Sequence, residues 1–328
     1  MTAADNSIEH ANTDANEIRI TRVYDAPVAL VWDAWTDPQR VGHWWGPRGF
    51  TITTRRSDLR AGGSWEFTMH GPDGTDYPNF MRYHVVEPRA RLVYDHGASS
   101  ADAKPMFRVT AEFREVGGKT ELDMRMTLAT AEEAQHTRAI IKAHGGNSTW
   151  DRLAEYVEKE VSAKEIFVIN RTFDASIDTM FDLWTTPEYL GAWSPPTGFT
   201  MEYRRVDVRS GGEGFYAMTN GQFTMYGRVE YLDVRRPDRL QYVQSFADAE
   251  ENIARHPGAP IWPEKMLTTV QLTAEGPART RVTVRWEAAG TAIPAEITAF
   301  VDAKAGMTTG WTGTFDKLDA LIASASQA

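Results

Sequence analysis

Residues 25–63 read DAPVALVWDAWTDPQRVGHWWGPRGFTITTRRSDLRAGG, and residues 174–212 read DASIDTMFDLWTTPEYLGAWSPPTGFTMEYRRVDVRSGG. At a constant offset of 149 the two stretches agree at 18 of 39 positions without a gap, among them Asp25, Ala26, Trp35, Pro38, Trp44, Pro47, Asp58, Arg60, Gly62 and Gly63. A period this long is the duplication of a whole domain, because solenoid and propeller units of about 20 to 50 residues must stack to bury their apolar faces. The 328 residues then divide into two units of about 150 residues, an ordinary domain size. Positions kept in both copies are expected to be frame, and positions that differ mark where the two have diverged.

Working outward from the repeat, EIRITRVY (17–24) reads as a strand, and Asp25-Ala26-Pro27 starts a helix in which Pro occupies the first turn. Val28, Val31, Trp32 and Trp35 fall at helical spacing, and Thr36-Asp37-Pro38 restarts a second short helix that ends at Gly42. Six runs of strand character follow, at Phe50 to Arg56, Ser64 to His70, Tyr77 to Val86, Arg91 to His96, Pro105 to Glu115 and Thr120 to Leu128. In the last run Leu122, Met124, Met126 and Leu128 alternate with polar residues, which predicts one buried face and one wet face. A long helix from about Ala131 to Glu160 closes the first copy. The second copy repeats the order and ends in a long helix from about Pro294 to Ala325. This pattern predicts an α+β fold of two tandem helix-grip domains, each a curved antiparallel sheet wrapped around a C-terminal helix with a cavity between them. The expected boundaries are a disordered tail at 1–16, one domain at 17–160 and a second at 165–328, with Val161 to Lys164 as a linker short enough to restrict swinging.

Composition excludes several classes. A formal net charge of −10 and the lack of any basic block speak against a nucleic-acid partner. With no cysteine there is no disulfide, thiolate metal site or cysteine nucleophile, and a reducing compartment suits the chain. No apolar run of about 18 residues occurs and the first sixteen residues lack an apolar core, so a cytoplasmic, non-membrane protein is expected.

Several elements together carry a family resemblance. They are Asp25-Ala26-Pro27, Trp44-Trp45-Gly46-Pro47, Asp58-Leu59-Arg60-Ala61-Gly62-Gly63 and Trp150-Asp151-Arg152-Leu153 in the first copy. Their counterparts are Asp174-Ala175-Ser176, Trp193-Ser194-Pro195-Pro196, Asp207-Val208-Arg209-Ser210-Gly211-Gly212 and Gly310-Trp311 with Phe315-Asp316-Lys317-Leu318. Each copy resembles, nearly end to end, the domain family named after the activator of the 90-kDa heat-shock protein ATPase, within the START and Bet v 1-like (SRPBCC) superfamily of helix-grip ligand binders. The resemblance implies the grip fold and a range of roles: carriage of small hydrophobes, polyketide cyclisation, self-sacrificing resistance or co-chaperone work. One fold hosting so many roles licenses no single one.

Aromatic and methionine side chains are the main chemical asset, since small-molecule cavities bind mostly by apolar burial and Met adapts to irregular ligands. The expected lining of the first copy is Trp44, Trp45, Trp65, Phe67, Met69, Tyr83, Tyr94, Phe107, Met124 and Met126. For the second copy it is Trp193, Phe215, Met218, Tyr226, Tyr242, Trp262, Met266, Trp286, Met307 and Trp311. Trp32, Trp35, Phe181 and Trp184, at helical spacing, are expected to be plain core. Asp58 with Arg60, and Asp207 with Arg209, precede Gly-Gly pairs and read as scaffold ion pairs rather than carboxylate anchors.

A catalytic constellation is not visible. The histidines His10, His43, His70, His84, His96, His136, His144 and His256 include no His-x-x-x-His pair, and no Gly-x-Ser-x-Gly elbow or metal set appears. His70, His96 and Asp95, near strand ends, are the candidates for acid–base work at a pocket mouth. The sequence thus supports a cofactor-free binder of a small hydrophobic or aromatic ligand, with a cyclase- or hydrolase-like enzyme and a co-chaperone of a heat-shock protein 90 type ATPase as alternatives. The copies also differ where bulk matters: the first has Trp45 where the second has Ser194, Gly146 where it has Trp311 and Met126 where it has Trp286, and only the second copy has the long loop Ala249 to Pro263 with Trp262. Two cavities of different shape are expected.

Overall fold

The fold is described from a computed structural model covering residues 14–143, 148–162 and 165–325. Most of the expected tail, together with His10, His144, Gly145, Gly146 and linker positions 163–164, lies outside the described residues. The chain separates into two compact units that join at Val161 and Ser162.

In the first unit a short turn at Asp14–Asn16 leads into β1 (Glu17–Tyr24), α1 (Val28–Thr36) and α2 (Pro38–Val41). Then come β2 (Thr51–Ser57), β3 (Ser64–His70), β4 (Asp76–Glu87), β5 (Arg91–Ala98), β6 (Phe107–Val116) and β7 (Lys119–Thr127), closed by α3 (Ala131–Ala143) and α4 (Ser148–Ser162). The second unit runs β8 (Phe167–Phe173), α5 (Ile177–Thr185), α6 (Pro187–Trp193), β9 (Thr200–Val206), β10 (Glu213–Thr219), β11 (Thr224–Arg235), β12 (Arg239–Ala247), β13 (Lys265–Gly276), β14 (Arg279–Ala288), α7 (Pro294–Asp302) and α8 (Lys304–Ala325). Each unit holds one seven-stranded antiparallel sheet, ordered β1-β7-β6-β5-β4-β3-β2 and β8-β14-β13-β12-β11-β10-β9. Both are α+β helix-grip folds.

One expectation needs correcting. The closing helix of the second unit is two segments, interrupted at Ala303, whose backbone stays right-handed at φ −79° and ψ −8°. Met307 N–H still reaches the Ala303 carbonyl, so the interruption is local. In the first unit the expected single helix contains α3 and α4, with 144–147 outside the described residues.

The repeated residues are frame, and the reasons are physical. Asp58 and Gly63 hold a tight corner in which a Cβ on Gly63 would lie 2.1 Å from the Asp58 carbonyl oxygen. Gly62 sits at φ +77°, a left-handed backbone that favours glycine. Gly62 N–H and Tyr83 N–H then exchange bonds with Tyr83 and Gly63 carbonyls, which hangs the corner on β4. Gly211, Gly212 and Tyr231 repeat every one of these contacts, and Arg60–Asp58 and Arg209–Asp207 are exposed ion pairs at 3.0 and 2.7 Å. Trp44 is likewise frame: its indole donates to the Ala34 carbonyl at 2.9 Å, as Trp193 does to Leu183 at 2.8 Å. Both rings are fully buried, so Trp44 ties the segment after α2 to α1 and Trp193 ties α6 to α5.

Candidate functional site

Strand alternation decides which side chains look inward. In the first unit the cross-strand pairs Met126–Val109, Tyr94–Val109, Tyr83–Tyr94 and Trp65–Met81 carry one face through β7, β6, β5, β4 and β3. That face presents Trp65, Phe67, Met69, Tyr83, Tyr94, Phe107, Met124 and Met126 together. Trp45, from the segment after α2, enters the same space and touches the rings of Trp35, Trp44, Trp65, Phe67, His96 and Trp150 at centroid distances of 5.1 to 6.4 Å. Its segment is held by Arg152 of α4, whose guanidinium donates to the carbonyls of Gly46 and Pro47 at 2.8 and 2.9 Å. Lys317 Nζ does the same to Pro195 in the second unit at 2.9 Å.

The three acid–base candidates do not come together. His96 faces inward among Trp45, Phe67, Tyr94 and Phe107. Burial pushes its imidazole down to about 4, so it is neutral at pH 7. Its Nδ1 is enclosed without a hydrogen-bond partner. Asp95, one residue away, faces the other side of the sheet, where Arg108 Nε donates to it at 2.8 Å and His84 Nε2 lies 2.8 Å away. Burial alone would raise its carboxyl, and the bonds from Arg108 and His84 outweigh that and hold it low. His70 lies on the outer face at the β3–β4 end, 2.6 Å from exposed Asp76.

In the second unit the same alternation presents Met218, Tyr242, Met266 and Trp286 inward, through the pairs Met218–Met225, Tyr231–Tyr242, Gln244–Met266 and Thr268–Trp286. Trp311 of α8 meets Trp286 at 5.5 Å, and partly buried Met307 packs against the same core. Phe215 and Tyr226 point the other way. They stack on the outer face at 5.8 Å beneath the Arg204 guanidinium, because Tyr216 and not Phe215 shares its face with Gly227. Trp262 lies against Phe300 of α7. Its loop is strapped to that helix by Arg255, which pairs with Glu296 and donates to the Trp262 carbonyl.

Sequence reasoning missed Tyr203, Tyr216 and Tyr231, which join Tyr242 on the inner face as two ring pairs, each at 5.7 Å. The signal was available: the offset of 149 maps Phe67 onto Tyr216, so the repeat register identifies the inward residue of β10. Burial pushes the Tyr216 phenol up to about 12 and Tyr242 higher, yet both keep accessible surface, as His96 does. Among the described residues no three metal-ligating side chains gather and no helix is long and apolar enough to cross a membrane.

A duplicated sheet-and-helix grip with an aromatic interior defines a tandem helix-grip protein. The family described as Activator of Hsp90 ATPase homolog 1-like protein matches residues 25–158 and again 174–323, and the chain belongs to that family. Comparison with curated proteins finds no match. Among solved structures, a Nitrosomonas europaea protein is 23% identical with a TM-score of 0.42, over 46% of this chain and 99% of its own. A Mycobacterium smegmatis protein is 22% identical with a TM-score of 0.40, over 48% and 89%. The di-domain ARO/CYC BexL from the BE-7585A biosynthetic pathway is 13% identical with a TM-score of 0.39, over 93% and 97%.

Proposed function

We propose that the chain binds and sequesters small hydrophobic or aromatic molecules between sheet and helix, with no reaction assigned to it, in the cytoplasm. The observation that carries this reading is the inward face of each sheet, where part-buried His96 lies among Trp45, Phe67 and Phe107 and part-buried Tyr216 and Tyr242 pair with Tyr203 and Tyr231. Rings and methionine side chains around them supply apolar contact, and a few neutral polar groups supply orientation, which is the usual make-up of a ligand site. The enzymatic alternative required a histidine and a carboxylate together inside. His96 is inside without Asp95, and the His70–Asp76 pair is outside.

Native mass spectrometry of the protein purified from its own cell tests the proposal, with thermal unfolding in the presence of apolar probes such as N-phenyl-1-naphthylamine. A retained non-covalent mass, or a rise in Tm that saturates with probe, is expected. An unliganded mass together with a Tm indifferent to every probe would overturn it.

A further inference from the structure

A hydroxyl, an imidazole and a carboxylate stand in line on the outer face of the first unit, away from the grip. Thr53 Oγ1 of β2 lies 2.9 Å from His70 Nε2 of β3, and His70 Nδ1 lies 2.6 Å from Asp76 Oδ1 of β4. Strand register builds the line: His70 is opposite Asp76 across one side of β3, and Thr53 is opposite Thr68, two residues along on the same face. A carboxylate only accepts, so Asp76 holds the proton on Nδ1 and leaves the Nε2 lone pair facing the Thr53 hydroxyl. A hydroxyl beside a base that a third group orients is the arrangement that activates a weak nucleophile. The second copy has Glu202, Thr219 and Thr224 at these places, so all three members are replaced together.

The same strand offers donors for the charge that such a nucleophile creates. β2 is the edge strand of its sheet. Gly71 N–H bonds to Thr75 on the β4 side, so by alternation His70 and Thr68 turn their backbone groups towards β2, opposite Thr51 and Thr53. Ile52 and Thr54 therefore turn their N–H groups to the open edge, on either side of Thr53. The N–H of the residue after the nucleophile is one half of the oxyanion hole in hydrolases with a nucleophile elbow. Charge beside the line is balanced, since Arg55 pairs with Glu66 at 3.7 Å, and the exposed face has no wall for a long chain. Both facts point to small, uncharged acyl groups. We propose that Thr53, His70 and Asp76 form an acyl-transfer site that takes small uncharged esters with a good leaving group. Thr53 Oγ1 bonds to the carbonyl carbon as its proton passes to His70 Nε2. The carbon–oxygen bond to the leaving alcohol then breaks, and the imidazolium returns the proton to that alcohol. Acyl-Thr53 remains, and water deprotonated by the same imidazole releases it as the acid. This activity is separate from binding inside the grip and does not depend on it.

Mixing the full chain with p-nitrophenyl acetate, following p-nitrophenolate release and mapping the acetylated peptides of the quenched protein tests the site. An initial burst of phenolate and an acetyl group on Thr53 are expected. Thr53→Val should abolish both, and Thr53→Ser should keep both. His70→Gln, whose amide cannot take the proton, should slow Thr53 acetylation about 100-fold or more. Asp76→Asn should slow it as well, while the Tm of each variant stays that of the wild type, because the three side chains lie at the surface. A merely structural hairpin contact would move the Tm and not the acetylation. Acetyl groups on lysines alone, or phenolate release and Thr53 acetylation unchanged by His70→Gln, would overturn the proposal. Either result leaves the ligand-binding reading standing, since that reading is decided by the retained mass and the probe-dependent Tm.

Discussion

Arg22 of β1 donates to Asp151 of α4 across 2.8 Å, with only 1% and 5% of the two side chains exposed. The equivalent pair in the second unit, Arg171 with Asp316, leaves the carboxylate 66% exposed. Removing one partner of a buried pair strands the other charge, whereas an exposed pair contributes little. Asp151→Ala is therefore expected to destabilise the first unit by about 3–5 kcal/mol. Asp316→Ala should cost the second about 0–1 kcal/mol. Urea unfolding followed by probes specific to each unit checks the difference, and equal losses would contradict it.

His96 gives the first unit a pH signature. Its imidazole titrates near 4 in the folded chain against an ordinary 6.5, because burial opposes the charge. Between those values the unfolded chain binds the extra proton, so this residue's contribution to stability is complete above pH 6.5 and is lost as the pH falls towards 4. The full effect is of order 3 kcal/mol at about 1.4 kcal/mol per unit. His96→Phe should flatten the stability profile of the first unit across that window; an unchanged slope would rule His96 out as its source.

Trp45 and Ser194 occupy equivalent places in the repeat, and the exchange is testable in both directions. Trp45→Ser removes a ring packed against six others and should destabilise the first unit by about 3–5 kcal/mol. It should also let the first unit take apolar probes larger than the wild-type unit accepts. Ser194→Trp should crowd the second unit and weaken its binding of apolar probes about tenfold or more. Calorimetric titration of both variants reads these changes.

The corner glycines Gly63 and Gly212, buried beside exposed Gly62 and Gly211, are expected to be intolerant. A Cβ on Gly63 or Gly212 would sit 2.1 or 2.0 Å from a backbone oxygen, so the corner itself must shift. Gly63→Ala should cost about 1–3 kcal/mol by overpacking. Gly42, with nothing within 4 Å and a right-handed backbone, is the control. Gly42→Ala should be neutral or stabilising by up to about 1 kcal/mol in Tm or denaturant scans.

Much of the frame was legible because local rules carry it. Alternation placed Leu122, Met124 and Met126 inside, and all are buried. Helical spacing placed Trp32, Trp35, Phe181 and Trp184 in the core, where each is at most 6% exposed. The site was less legible. Phe215 and Tyr226 are aromatic like their neighbours, but a shift of one residue along a strand sends a side chain to the opposite face. Asp95 and His96 are adjacent in sequence and separated by the sheet for the same reason.

The sequence by itself determined the duplication, the order of elements and the frame, since these follow from residue identity at fixed local spacings: glycine at a crowded corner, proline at a first turn, apolar residues every second position. Only the tertiary structure decided which polar groups are left without partners. Nothing local distinguishes the indole of Trp193, bonded to Leu183, from those of Trp184, Trp286 and Trp311, which have no acceptor. Hydrogen-bond satisfaction depends on what three distant elements bring within about 3 Å of one atom. That is a property of packing, and no spacing along the chain encodes it.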